Sequence, residues 1–254
     1  MKLHYKITGS GQPLIILHGL LGSLSNWRAV ADVLSDYAQV ITVDLRNHGQ
    51  SPHSTEQTYS LMVDDLAELM ADLSLQSVDM IGHSIGGKVA MAFVETFPQK
   101  VRKLMVVDIA PRQYQSSHCQ IFNALLGLDL SSFTTRKEVD SALAVKLPDK
   151  AVRQFLLMNL AVSGQQLTWQ INLQALADNY VHLLEAVCQK DKVSLPSYFI
   201  KGGRSDYIQK NDEDEIRTIF SNVVIDTIDS AGHWVHAESP QEFMTKAIHF
   251  FNYD

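Results

Sequence analysis

Short, apolar, largely β-branched runs alternate with amphipathic helical stretches along most of this chain, and that rhythm restricts the fold more than any other feature. Residues 2–8 alternate polar and apolar and read as a first strand. Leu14-Ile15-Ile16-Leu17, Val40-Ile41-Thr42-Val43 and Leu104-Met105-Val106-Val107 are apolar on both faces, as buried parallel strands are. Trp27, Val30, Ala31 and Leu34 follow the first of these at helical spacing, and Met62, Leu66, Leu69 and Leu73 follow the second. Another helix runs from about Ile85 to Thr96 and ends before Pro98. Further on, Ser197-Tyr198-Phe199-Ile200 and residues 223–228 are strands again, separated by a short helix marked by Ile216, Ile219 and Phe220. The last helix opens at Ser239-Pro240-Gln241-Glu242, where an N-cap serine, a proline at the first position and a capping-box glutamate coincide. The alternation predicts an α/β fold with a mostly parallel central sheet flanked by helices. Right-handed crossovers bring every parallel strand's C-terminal end to one edge, and ligands bind at that edge in such folds.

The rhythm breaks between residues 112 and 192. No β-rich run is evident there, and Leu173, Leu176, Tyr180, Leu183, Leu184 and Val187 recur at helical spacing. The chain therefore divides into a core of residues 1–111 and 193–254 and a helical cap insertion. The insertion starts at the ligand edge, so its expected role is a lid that shapes a pocket and excludes water.

Composition narrows the chemistry. At 254 residues with 46% apolar and 19% charged side chains, the chain can bury a sizeable core. A net charge of −7 disfavours nucleic acid and anionic membranes, both of which select basic faces. The N-terminus lacks a signal-peptide core, and no apolar run nears the roughly 20 residues of a membrane helix. A cytoplasmic protein with no membrane partner is expected. Cys119 and Cys188 are the two cysteines; neither has metal-ligand spacing, and both are expected to be packing residues. No metal or cofactor is called for, and a monomer or small homo-oligomer is expected.

Val78-Asp79-Met80-Ile81 leads into Gly82-His83-Ser84-Ile85-Gly86. A strand, a tight glycine-flanked turn and a helix here make a nucleophile elbow that exposes Ser84. A serine hydroxyl needs a base, a group to orient that base, and donors for an oxyanion. His233, on the loop after the last strand, is the candidate base; His236 is read as packing or lining. The backbone N–H groups of Ile85 and Leu20 are the candidate oxyanion donors. His18 orders the Leu20 loop, and His18, Gly19 and Trp234 are candidates for the pocket wall. Asp108 and Asp206 both follow strands, and either suits the acid; Asp44 reads as a local turn and charge arrangement, and Asp79 lies at the wrong end of its strand.

These motifs resemble the α/β-hydrolase superfamily across essentially the whole chain. The residues concerned are His18-Gly19-x-x-Gly22 with Trp27, Asp44-x-Arg46-x-x-Gly49-x-Ser51, Gly82-His83-Ser84-Ile85-Gly86-Gly87 and Gly232-His233. More narrowly, Asp44-Leu45-Arg46-Asn47-His48-Gly49, Val107-Asp108-Ile109-Ala110-Pro111, Gly202-Gly203-Arg204-Ser205 and Gly232-His233-Trp234-Val235-His236-Ala237-Glu238 resemble the bacterial YbfF-type esterases. The resemblance implies a capped, cytoplasmic carboxylesterase or thioesterase that forms an acyl-enzyme on Ser84, with a small acyl ester or thioester such as an acyl-CoA as substrate. The superfamily's usual Gly-x-x-Asp slot, counted from Gly202, holds Ser205, and Asp206 comes one residue late. The YbfF-type pattern instead implies Asp108 as the acid, with Ser205 as an added partner of His233. Alternatives on the same scaffold are hydrolysis of a C–C bond in ring-fission diketones and a slow-turnover ligand receptor.

Overall fold

The computed structural model describes residues 1–164 and 166–252. Its centre is a seven-stranded sheet in the order β1-β3-β2-β4-β5-β8-β9. The strands are β1 (Tyr5–Thr8), β2 (Pro13–Leu17), β3 (Gln39–Val43), β4 (Val78–His83), β5 (Val101–Val107), β8 (Ser197–Gly202) and β9 (Val223–Ile228). β1 pairs antiparallel with β3, and every other neighbour in the sheet is parallel. Leu14 and Ile16 of β2 point into one apolar layer with α1 (Arg28–Leu34) and the last helix, α11 (Pro240–Phe251). Ile15 and Leu17 point into the other, with α2 (Tyr59–Asp72) and α3 (Ile85–Thr96). Side chains alternate between two buried faces, so these strands carry no polar face.

The insertion holds α4 (Cys119–Leu126), α5 (Arg136–Ala144), α6 (Lys150–Leu157), α7 (Leu173–Asp178) and α8 (Tyr180–Leu184). Contrary to the sequence expectation, it also carries an antiparallel ribbon, β6 (Leu160–Ser163) with β7 (Gln166–Trp169). Four-residue strands are too short for a clear alternation, and Gly164, at φ 65°, supplies the turn. The stretch from Leu173 to Val187 is not one helix. Asn179 separates α7 from α8, its side-chain amide donating to the carbonyls of Ala175 and Thr55, each at 2.8 Å. Beyond the insertion lie α9 (Lys210–Ile219) and the short α10 (Val235–Glu238).

Other departures are local. β1 starts at Tyr5, because the Met1 ammonium pairs with Asp65 at 2.7 Å on α2 and Ser51 Oγ accepts the His4 N–H at 2.8 Å. Ser239 precedes α11 without a side-chain cap; its hydroxyl lies 2.7 Å from Ser230 Oγ, so the expected capping box is not made. Arg46 does not pair with Asp44 but with Asp65, Nε to Oδ2 at 2.6 Å. Cys188 is buried, but Cys119 is exposed and so not the packing residue expected.

Lys88, in the first half of α3 and 1% exposed, donates to the carbonyls of Arg112 at 2.7 Å and Glu185 at 2.5 Å. The start of the insertion at Arg112 and the end of α8 at Glu185 are thereby tied to one buried amine. Burial lowers the Lys88 pKa to about 7. Among the described residues, no helix is long and apolar enough to cross a membrane.

Candidate active site

β4 ends at His83 and α3 begins at Ile85, leaving Ser84 alone in the turn with φ 52° and ψ −123°. Such a conformation costs a non-glycine residue about 1–3 kcal/mol. Neighbouring glycines let the backbones close around it. A Cβ on Gly82 would overlap the Gly86 carbonyl, and a Cβ on Gly86 would overlap the carbonyls of His18 and Leu17. The Ser84 N–H donates to Val107 O at 3.0 Å, and Ser84 O accepts from Gly87 N–H at 2.9 Å. The elbow is thus stitched to the end of β5 on one side and to the start of α3 on the other.

Asp108 directly follows β5, also at a positive φ of 52°, and its N–H donates to Ile200 O of β8 at 2.8 Å. Its carboxylate is fully buried. Oδ1 accepts the Gly202 N–H at 3.0 Å, and Oδ2 accepts from Ser205 Oγ and from His233 Nδ1, the latter at 2.7 Å. Ser205 Oγ in turn accepts the Tyr207 N–H at 3.3 Å, so its own hydrogen goes to Asp108. Ser205 therefore braces the Asp108 carboxylate; the expected contact with His233 is replaced by one to Asp108. Asp206 is exposed. With Nδ1 donating to Asp108, the Nε2 lone pair of His233 is left to take a proton.

Two side chains that the sequence reading passed over complete the frame around His233. His83 Nε2 donates to the His233 carbonyl at 2.9 Å. Tyr207 stacks on the His233 ring, centroids 3.8 Å apart at 17°. Neither lies in a periodic pattern. The middle position of the elbow motif is a hint for His83, and nothing in the sequence singles out Tyr207.

The loop after β2 is built around paired imidazoles. His18 Nε2 accepts the Leu45 N–H at 3.0 Å, so Nδ1–H donates to Gly19 O at 2.8 Å. His48 Nε2 accepts the Leu21 N–H at 3.2 Å, and Nδ1–H donates to Arg46 O at 2.8 Å. Leu21 sits at φ 58°. These contacts fix Leu20 beside the elbow. His18 is 1% exposed behind the loop rather than in the pocket wall, where it was expected. Asp44 holds the same region, accepting the N–H groups of Leu24 at 2.7 Å and Gln50 at 2.9 Å. His236 stacks on Trp27 at 4.0 Å.

Burial lowers the pKa of His18, His48, His83 and His236, taking His48 and His236 to about 3. With a lowered folded-state pKa, the unfolded chain takes up protons first. Stability from these groups is therefore intact above about pH 6.5 and is lost as pH falls toward 3. For His48 and His236 the cost is about 2 kcal/mol per group by about pH 5. Thermal unfolding followed by circular dichroism should show the midpoint at about pH 5 at least about 5 °C below that at about pH 7.5. Equal midpoints would contradict the neutral-imidazole frame.

Ser84, His233, Gly19, Leu20 and Trp234 line a cavity of about 190 Å³. It shares Gly19, His83, Phe155 and Trp234 with a wider recess of about 540 Å³. On the other side of Ser84 is a smaller cavity of about 30 Å³, walled in part by Leu20, Ile85, Ile109 and Leu183. Thus the elbow serine, the loop histidine and both N–H-bearing residues meet at one sheet edge, with the insertion above them.

A parallel sheet with a Ser-bearing elbow and a His–Asp pair at its C-terminal edge defines the class: the chain belongs to the α/β-hydrolase-fold family, whose model matches residues 12–240. Within that family it is of the YbfF type. It is 34% identical to the esterase YbfF of Escherichia coli over 247 residues, covering 96% of this chain and 94% of that protein. It is 37% identical over 245 residues to the sn-1-specific diacylglycerol lipase ABHD11 of Mus musculus, covering 93% of this chain and 80% of the relative. A solved structure described as a marine microorganism esterase superposes with a TM-score of 0.96 at 41% identity, covering 98% and 99% of the two chains.

Proposed function

We propose that this chain is a serine-dependent hydrolase of small carboxylic esters or thioesters. The observation that carries the reading is the 2.7 Å contact of His233 Nδ1 with buried Asp108, in a loop whose histidine shares a cavity with Ser84. Relatives bearing the names esterase and lipase support ester hydrolysis. In the proposed reaction, Ser84 Oγ attacks the substrate carbonyl while His233 Nε2 takes its proton. The Leu20 and Ile85 N–H groups hold the resulting oxyanion. His233 then returns the proton to the leaving oxygen or sulfur, and a water deprotonated by His233 releases the acid from Ser84. Residues 112–192 act as the lid over this chemistry.

The two cavities divide the substrate. His233 must reach the leaving atom, so the leaving group lies in the 190 Å³ cavity that His233 lines and extends toward the wider recess. The acyl chain then occupies the cavity of about 30 Å³. A space this small favours an acyl group of about two to four carbons over longer chains, since methylenes forced into packed space cost about 1–3 kcal/mol. In a series of p-nitrophenyl esters, kcat/KM should peak between acetate and butyrate and be about 100-fold lower for octanoate. A profile peaking at octanoate, or a diacylglycerol cleaved faster than the butyrate, contradicts the short-acyl assignment. A ring-fission diketone cleaved faster than any ester contradicts ester hydrolysis itself.

A further inference from the structure

The insertion contributes a histidine to the cavity wall that the proposed reaction does not use. His118 immediately precedes α4 and lines both the His233 cavity and the smaller acyl cavity, so it sits over the boundary where Ser84 lies. Its ring is held edge-on against Tyr180, with centroids 5.6 Å apart at 80°, and Tyr180 packs on Phe122 at 5.3 Å.

The hydrogen bonds around Tyr180 decide the His118 tautomer. Tyr180 OH accepts the backbone N–H of Ser117 at 3.3 Å and of His118 at 3.2 Å, which uses both of its acceptor positions. Its own hydrogen must then go to the remaining neighbour, His118 Nδ1, at 2.6 Å. Ser117 Oγ, at 3.1 Å from the same nitrogen, can donate to it as well. Nδ1 is the acceptor, so the ring proton resides on Nε2. Burial lowers the His118 pKa to about 4, which keeps the ring neutral at physiological pH. The edge opposite Tyr180 therefore offers an N–H donor to the cavities.

Two other polar heads in the acyl cavity, those of Tyr114 and Lys88, are consumed within the protein. Tyr114 OH accepts the Ala110 N–H at 2.8 Å and donates to Tyr207 O at 2.6 Å, and Lys88 Nζ is spent on backbone carbonyls. A plain alkyl chain would leave the His118 N–H facing a group that cannot accept, and an unpaired buried donor is costly. We propose that His118 is a specificity-determining residue, donating Nε2–H to an acceptor oxygen separated from the scissile carbonyl carbon by one or two carbon atoms. The favoured substrates are then esters of short α-alkoxy, α-hydroxy or β-keto acids. The inference rests on the serine-hydrolase reading above.

The test compares p-nitrophenyl methoxyacetate with p-nitrophenyl butyrate, whose acyl chains match in length and differ by an ether oxygen in place of a methylene. Each kcat/KM is corrected for spontaneous hydrolysis, and the methoxyacetate-to-butyrate ratio is taken for the parent and for variants. The intrinsic reactivity difference cancels between proteins, and a misfolded fraction lowers both rates equally. His118→Phe should reduce the ratio about tenfold. His118→Gln, whose carboxamide can donate, should retain more of it. Tyr180→Phe, which keeps the ring but frees the tautomer, should fall between the parent and His118→Phe. If both esters require Ser84 and the ratio is the same in the parent, His118→Phe and Tyr180→Phe, the His118 inference is wrong while the serine reading stands. If Ser84→Ala hydrolyses both esters at the parent rate, the serine reading is wrong and this inference goes with it.

Discussion

Replacing Ser84 with alanine is expected to lower kcat for p-nitrophenyl butyrate by about 10⁵- to 10⁶-fold, the scale seen when a triad nucleophile is removed. No other substitution here should have a larger effect. Ser84 is the point where the cavity floor, the Leu20 loop and the His233 loop converge. The change removes one oxygen and leaves the backbone demand at φ 52° unaltered, since alanine meets the same strain as serine. Folding should therefore survive, which a thermal melt would verify. A fluorophosphonate probe should label the parent and not the variant. Activity within tenfold of the parent would remove Ser84 from the reaction.

Asp108→Asn should cost about 10⁴-fold in kcat, whereas Asp206→Asn should change it by less than about twofold. An asparagine at position 108 would turn an NH₂ or a weaker acceptor toward His233 Nδ1, favouring the tautomer whose Nε2 cannot take a proton. The same carboxylate accepts from Gly202 and Ser205, so the variant also loosens the end of β8; a modest fall in melting temperature should accompany the kinetic loss. Asp206 is exposed, and its replacement perturbs only the loop before α9. Collapse on Asp206→Asn with Asp108→Asn nearly intact would reverse the assignment.

Much of the core was legible because its signals are local. Apolar β-branched runs and helical spacing placed β2, β3, β4 and α3 within a residue or so, since short, β-branched apolar runs between turn signals suit strands buried on both faces. The elbow was legible for a similar reason: the backbone approaches at Gly82 and Gly86 admit no side chain. Misjudged elements were short or settled by distant partners. The β6–β7 ribbon has four residues a side, and the break at Asn179 depends on a side-chain bond to Thr55, far away in sequence. Ser239 looked like a cap until Ser230 took up its hydroxyl.

The site divides along the same line. The sequence by itself determined a mostly parallel α/β sheet, a serine on its elbow, and a histidine and the Leu20 loop after neighbouring strands, because each is a short motif tied to one strand end. Between Asp108 and Asp206 spacing alone left the matter open, and the family resemblance pointed to Asp108. Only the tertiary structure brought Asp108 within 2.7 Å of His233 and turned Ser205 onto Asp108 instead of His233. It alone stacked Tyr207 on His233, moved His18 behind its loop and hung His118 over the cavity. Those contacts join residues some 26 to 125 positions apart, through side-chain directions that no local periodicity encodes.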